Sequence, residues 1–281
     1  MTPTPASEAP AIAADASPAL LEVFDLSVRA AGTTILDGVS LGARVGRTTG
    51  VVGESGSGKS MTVLAIMGML PSALAVTGGA VRFEGRDLLA LSRDERRQLR
   101  GTAMAMVFQD PLAALNPVMR IDDQVSEVLL RRKGMGHAEA RAEAVRLLDR
   151  VEMPDPADKA RRYPHQLSGG QRQRAVIAMA LAGGPKLILA DEPTTALDVT
   201  VQAKVLDLLR RLQKEEGLAM VLISHDLRVM AHYADDLVVM RHGLVVEHGA
   251  ARAVLANPQH DYTRHLVANV PAVRRPARMS Q

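Results

Sequence analysis

One stretch, "GVVGESGSGKS", constrains this chain more than any other. Gly53, Gly58, Lys59 and Ser60 stand in the order G-x-x-x-x-G-K-[ST], after an apolar run and ahead of a helical one. At average residue usage, a chance match somewhere in a chain of 281 residues is on the order of one per cent. Gly56 and Gly58 let successive backbone N–H groups turn inward on a polyphosphate, and a helix starting near Ser60 adds free N–H groups and its dipole. Lys59 is placed to reach the β- and γ-phosphates and the Ser60 hydroxyl to hold Mg²⁺, with Ser55, Ser57 and Met61 completing the candidate binding set. A strand feeding a phosphate loop and a helix calls for an α/β fold.

Composition leaves room for that fold and narrows the partners. Hydrophobic residues are 47% and charged ones 23%, enough for a packed core. Lysine and arginine number 34 against 31 acids, a net charge of +3, so no concentrated basic character points to nucleic acid. Aromatic residues are 2% with no Trp, which starves the stacking platforms that single-stranded nucleic-acid binders use, and no nucleic-acid partner is expected. Zero cysteines exclude disulfides and thiolate metal sites. Residues 1–20, "MTPTPASEAPAIAADASPAL", have neither a basic n-region nor a continuous apolar one, so a disordered lead is expected there and not a signal peptide. No run of 18 apolar residues occurs, so no membrane-spanning segment is expected.

Periodicity sorts the rest. "LEVFDLSVRA" alternates as a strand, and the helix after the phosphate loop is expected over residues 60–70, stopping before Pro71. "VTGGAVRFEGRDL" reads as a small hairpin, and Ser92 with Glu95 has the spacing of a capping box. "AMAMVFQD" returns to the sheet. Residues 117–165 are charged and helical in period, with "KGMG" as a break, and form a helical subdomain inserted in the core. "KLILADEP" and "AMVLISHD" are buried-strand runs on either side of the amphipathic helix "VTVQAKVLDLLRRLQKEEG". "DDLVVMRHGLVVEHG" adds a hairpin and "ARAVLANPQHDYTRHLVANV" a terminal helix, followed by a basic tail over 271–281. The fold class expected is an α/β P-loop NTPase core: a mostly parallel sheet, a small antiparallel portion and the helical subdomain, over residues 21–270.

Four further groups fall at strand ends, the side on which open α/β sheets bind ligands. Asp191 is placed to complete the Mg²⁺ shell begun by Ser60, and Glu192 to orient and polarise the attacking water. Gln109 follows the strand "AMVF" and is aimed at metal and water; His225 follows "AMVLIS" and is aimed at a phosphate oxygen or at Glu192. A second glycine loop, "HQLSGGQRQRAV", puts Ser168, Gly169 and Gly170 at the start of another helix, a second anion-binding terminus.

In order along the chain, "GESGSGKS", "VFQDP", "LSGGQ", "LILADE", "TALD" and "SHD" resemble the Walker A, Q-loop, signature, Walker B, D-loop and switch motifs of ATP-binding cassette (ABC) ATPases. The resemblance implies ATP and Mg²⁺ as ligands. It also implies two cassettes arranged head to tail, with the signature residues Ser168, Gly169, Gly170 and Gln171 of each covering the γ-phosphate held by the other; Asp198 of the D-loop joins the nucleotide-binding set on the same ground. "FQDPLAALNP", "YPHQLSGGQRQRAVIAMALA", "DEPTTALDVTVQAKVLDLL" and "NPQHDYTRHL" are similar to the oligopeptide/dipeptide (peptide/nickel) importer branch and its D-type subunit.

That branch implies a peripheral subunit on the cytoplasmic face of the inner membrane. Its partners are a second, different ATPase subunit in a heterodimer, two transmembrane permease subunits and an extracytoplasmic substrate-binding protein. The alternatives are a nickel or other solute importer of the same branch, or a soluble non-transport ABC ATPase, which usually has tandem cassettes or a long coiled-coil insert. Two departures from the family pattern stand out. "SVRAAGTT" offers Arg29 and Ala30 where an aromatic ring usually stacks on adenine, and the cysteine cluster that would hold an iron–sulfur centre is missing, so no such cofactor is expected.

Overall fold

The computed structural model describes residues 19–195 and 197–269, so the expected lead up to residue 18 and the expected basic tail lie outside the described residues. The chain begins with a hairpin of two long strands, β1 (Ala19–Ala30) and β2 (Thr33–Arg44), followed by β3 (Thr48–Val52), the phosphate loop and α1 (Lys59–Ile66). β4 (Leu74–Phe83) and β5 (Arg86–Asp87) join the hairpin in an antiparallel sheet of order β2-β1-β4-β5. Next come α2 (Arg93–Leu99), where Ser92 and Glu95 make both bonds of the capping box, and β6 (Met104–Val107).

The helical stretch holds α3 (Pro111–Ala114), α4 (Ile121–Lys133), α5 (His137–Arg150), α6 (Pro156–Ala160) and a 3₁₀ turn at Pro164–Gln166. Gly134 ends α4 with a left-handed φ of 65°, which is the break expected at "KGMG". α7 (Gly169–Ala182) then returns to the core at β7 (Leu187–Asp191). α8 (Val199–Glu216), β8 (Ala219–Ser224), α9 (Leu227–Tyr233), the hairpin β9 (Asp236–Arg241) and β10 (Leu244–Ala250), α10 (Ala251–Ala256) and α11 (Asp261–Ala268) complete the described chain. No helix among the described residues is long and apolar enough to cross a membrane.

The second sheet has the order β10-β9-β3-β8-β7-β6, with every neighbouring pair parallel except β9 and β10. Its central strands are buried on both faces, which is why they read as unbroken apolar runs. Alternate residues divide between two cores. Val51, Leu187, Leu189, Val221 and Ile223 pack with α1 and the antiparallel sheet, while Val52, Ile188, Ala190, Met220 and Leu222 pack with the helices.

Several expectations need correcting. The β2 strand was not foreseen, because polar Thr33, Thr34 and Asp37 and the left-handed Gly38 break its alternation, and its pairing with β1 is interrupted by register shifts. The antiparallel portion is therefore a full sheet. β1 starts at Ala19, inside the stretch assigned to the lead. α1 stops at Ile66, short of residue 70: Gly68 takes a φ of +62°, and its N–H and that of Met69 close on the carbonyls of Ala65 and Leu64. The single terminal helix is two, broken at Asn257–Pro258, where proline restricts the residue before it to a non-helical backbone.

A backbone contact locks the helical side to the sheet. A Cβ on Gly183, which closes α7, would lie 1.6 Å from the carbonyl oxygen of Gly101, just ahead of β6. Gly183→Ala is expected to destabilise the chain by about 3 kcal/mol, since neither backbone can yield. A urea unfolding curve checks this, and an unchanged midpoint would remove the contact from the account.

Candidate active site

Strand register brings the functional side chains together. Val52 of β3 pairs with Ser224 of β8, Ile223 with Asp191 of β7, and Ala190 with Val107 of β6, so four parallel strands end at one edge. The residues just beyond those ends are Gly53, His225, Glu192 and Gln109. A cavity of about 680 Å³ opens there, lined by Gly53 through Met61, Gln109, Glu192 and His225, with Ile35 and Leu266 as its further walls. A small apolar recess of about 40 Å³ between the two sheets holds none of these groups.

The loop is built for close approach. Gly56 and Gly58 have φ of 80° and 101°, the left-handed region that glycine enters without steric cost. A Cβ on Gly53 would lie 2.2 Å from the carbonyl oxygen of Met240 and 2.7 Å from Ser57 Oγ. Lys59 is buried, and its ammonium folds back on the loop, donating to the carbonyls of Gly53 at 2.8 Å and Glu54 at 2.9 Å. Burial lowers its pKa, against the opposing pull of Glu192 and Asp191.

Asp191 shares its strand face with Leu187 and Leu189, so period-two alternation points it toward α1. There the Ser60 hydroxyl donates to Asp191 Oδ1 at 3.0 Å. Burial raises the Asp191 pKa, and the Ser60 hydrogen bond opposes that shift. Glu192 leaves the strand with a φ of 44°; its Oε2 accepts from Thr195 Oγ1 at 2.8 Å and lies 3.1 Å from His225 Nδ1. The residues present fit Mg²⁺: one hydroxyl and one carboxylate sit against the loop, and this small, hard ion takes its other ligands from phosphate and water. No cluster of three or more His, Cys, Asp or Glu suited to a metal exists among the described residues, so an all-protein cage is not the alternative.

The signature and D-loop residues do not line this cavity. Ser168 caps α7 in a capping box with Gln171: Ser168 Oγ accepts from Gln171 N at 3.3 Å and Gln171 Oε1 from Ser168 N at 3.0 Å. Gly169 and Gly170 occupy the first helical turn, whose N–H groups have no intrahelical acceptor. Asp198 caps α8 by accepting from Val201 N at 2.9 Å.

Sequence reasoning missed four residues at the site, the first of them Glu54 in the loop itself, whose carbonyl accepts from Lys59. Ile35 and Leu266 are cavity walls, and Tyr262 Oη accepts the N–H of Glu54 in the phosphate loop at 3.0 Å. "NPQHDYTRHL" was visible as a motif, but nothing in its spacing tells that α11 packs beside a loop some two hundred residues earlier. Arg29 is exposed and donates to Thr34 Oγ1 at 3.2 Å across its own hairpin. No Phe, Tyr or Trp is among the described residues that line the cavity.

A parallel sheet with a glycine loop at its carboxyl edge, a buried lysine, a serine–aspartate pair and a glutamate held by histidine define a P-loop nucleoside triphosphatase. Comparison with known proteins narrows this: a family model described as ABC transporter matches residues 36–195, and the chain belongs to that family as one of its ATPases. It is 48% identical to the oligopeptide transport ATP-binding protein OppD of Salmonella typhimurium over 256 residues, covering 90% of this chain and 76% of that one. It is also 48% identical to the dipeptide transport ATP-binding protein DppD of Bacillus subtilis over 235 residues, covering 83% and 70%. Among solved structures, a dimeric ATP-binding cassette in a post-hydrolysis state, bound to ADP and Pi, has a TM-score of 0.73 at 30% identity, covering 83% of this chain and 99% of that chain. The cassette cbiO1 from Clostridium perfringens, part of the cbiONQ complex, has a TM-score of 0.74 at 27% identity, covering 90% and 96%.

The Ser60–Asp191 bond is also a stability element. Ser60→Ala leaves a carboxylate that is 7% exposed without its hydroxyl donor and is expected to cost about 2 kcal/mol near neutral pH in the absence of nucleotide. Because the Asp191 pKa is raised in the folded chain, the folded state takes up that proton before the unfolded state does as pH falls. The penalty should therefore shrink in acid, below the point where Asp191 titrates. Urea titrations at the two pH values check this; an equal penalty at both would show that the charge is not the cause.

Proposed function

We propose that this chain is the ATP-hydrolysing subunit of an ABC importer that powers uptake of oligopeptides or dipeptides through a membrane permease. What carries the reading is one cavity holding Lys59, Ser60, Gln109, Glu192 and His225, in a chain 48% identical to an oligopeptide transport ATP-binding protein over most of its length. Lys59 would exchange the loop carbonyls for phosphate oxygens, and Ser60 and Asp191 would hold Mg²⁺. When bound, Mg²⁺ supplies charge neutralisation at the β- and γ-phosphate oxygens. Glu192 orients the attacking water and draws on its proton. His225, 3.1 Å from Glu192, keeps that carboxylate turned into the cavity and reaches toward the γ-phosphate. Gln109 approaches from the end of β6 toward metal and water.

Ser168, Gly169, Gly170 and Gln171, with Asp198, serve a neighbouring cassette. That they do not line this chain's own cavity supports that assignment, because the N-terminus of α7 is an anion-binding helix end directed elsewhere. The partner is a second, different ATPase subunit, and the assembly includes two permease subunits and an extracytoplasmic binding protein. The chain sits on the cytoplasmic face of the membrane without spanning it.

Glu192→Gln is expected to lower turnover about a hundredfold or more while leaving MgATP binding within about twofold, since only the water's general base is lost. ATPase assays with the partner subunit present, alongside nucleotide titration, check this; an unchanged rate would take Glu192 out of the mechanism. Purification from membranes together with two multi-spanning proteins is the result expected on the transport reading. Recovery with ribosomes or DNA instead would replace it, and a nickel-binding protein in place of a peptide-binding one would change the cargo.

A further inference from the structure

The peptide joining Gly53 to Glu54 is gripped from both sides. Its carbonyl accepts from Lys59 Nζ at 2.8 Å inside the cavity, and its N–H donates to Tyr262 Oη at 3.0 Å outside it. In a trans peptide those two groups point in opposite directions, so Lys59 and Tyr262 together fix the rotation of this one plane. Lys59 is the temporary half of the grip, because its ammonium is the group that phosphate recruits. Once it leaves the Gly53 carbonyl, the tyrosine is the side-chain partner that remains.

Tyr262 is well placed to hold. It is 6% exposed, and the guanidinium of Arg241, at the end of β9, lies 4.9 Å above its ring. Its backbone N–H donates to His260 Nδ1 at 3.1 Å, which caps α11, and Glu247 of β10 accepts from the N–H groups of Gln259 at 2.8 Å and His260 at 3.0 Å. The start of α11 is thereby tied to the β9–β10 hairpin. The same hairpin supplies the Met240 carbonyl that packs on Gly53. Leu266, one helical turn after Tyr262 on the same face, forms part of the cavity wall.

We propose that Tyr262 is a positioning residue for the phosphate loop: it fixes the plane of the Gly53–Glu54 peptide at the entry of the loop when Lys59 turns to the nucleotide, keeping the N–H groups of the following residues aligned on the phosphates, and so makes α11 part of the binding site. This rests on the cavity being the MgATP site. It adds that the segment after β10 sets phosphate affinity from outside the loop.

Tyr262→Phe removes the acceptor and keeps the ring under Arg241. In the full-length chain, calorimetric titration with MgATP and, separately, with magnesium pyrophosphate should show both dissociation constants rising by about fivefold. The two rise together because the held peptide anchors the loop that takes the phosphates and not the base. Arg241→Met, which loosens the ring but spares the hydroxyl, should give a smaller rise in the same direction. A melting temperature that falls in Tyr262→Phe while both dissociation constants stay at the wild-type value would overturn the proposal, leaving Tyr262 a packing residue. Lys59→Ala separates this from the reading beneath it: loss of MgATP binding there upholds the site, whereas retained binding would overturn the site itself.

Discussion

A phosphate loop works only if its peptide N–H groups converge on one point, and here that convergence depends on three chain segments meeting at glycines. A Cβ on Gly53 would lie 2.2 Å from the Met240 carbonyl, one on Gly58 2.6 Å from Leu36, and one on Gly243 2.3 Å from the Ile35 carbonyl. Gly243 sits in the β9–β10 turn with a φ of 81°, next to His242 at 50°, the pair of left-handed residues that a tight hairpin demands. Its N–H donates to the Ser57 carbonyl at 3.0 Å and its carbonyl accepts from Asp37 N at 2.9 Å. One turn thus joins the antiparallel sheet to the phosphate loop, and a side chain at Gly53 or Gly243, which face backbone carbonyls, would push these segments apart.

That convergence has an electrostatic consequence. The cavity and the end of β7 beside it gather one buried cation and two carboxylates where water is partly excluded. The protein answers with backbone carbonyls for Lys59, a hydroxyl for Asp191, and Thr195 and His225 for Glu192. The answer is incomplete, as the depressed Lys59 and the elevated Asp191 show: burial shifts each toward its neutral form. In the proposed MgATP site, a polyanion with its divalent cation would give Lys59 a counter-charge and Asp191 a cation, each favouring the charged form that burial opposes.

What could be read in the sequence follows from how local each cause is. The phosphate loop, the Ser92 capping box and the strands ending at Gln109, Asp191 and His225 are written in contiguous residues, so spacing and periodicity expose them. β2 was hidden because its alternation is broken by Asp37 and Gly38, and its place depends on pairing with β1, a partner that no window of β2 contains. Ile35, Tyr262 and Leu266 were missed for the same reason: each acts on a loop distant in sequence. The length of α1 was misjudged because apolar character continues through Met69 and Leu70, whereas the helix is ended by Gly68 adopting a positive φ. That choice of backbone conformation leaves no trace in hydrophobicity.

The same logic bears on the second glycine loop. A Cβ on Gly170 would lie 2.6 Å from Val201 Cγ1, and one on Gly169 3.1 Å from Leu197 Cδ2. The signature turn is therefore seated on the residues that flank Asp198, and the two motifs assigned to the subunit seam form one continuous surface. That surface begins a short way along the chain from Glu192, whose carboxylate is already held by Thr195. In the proposed head-to-tail pair, closing Ser168 and the two glycines over a partner's γ-phosphate would press on Leu197 and Val201, because neither glycine leaves room beside those side chains.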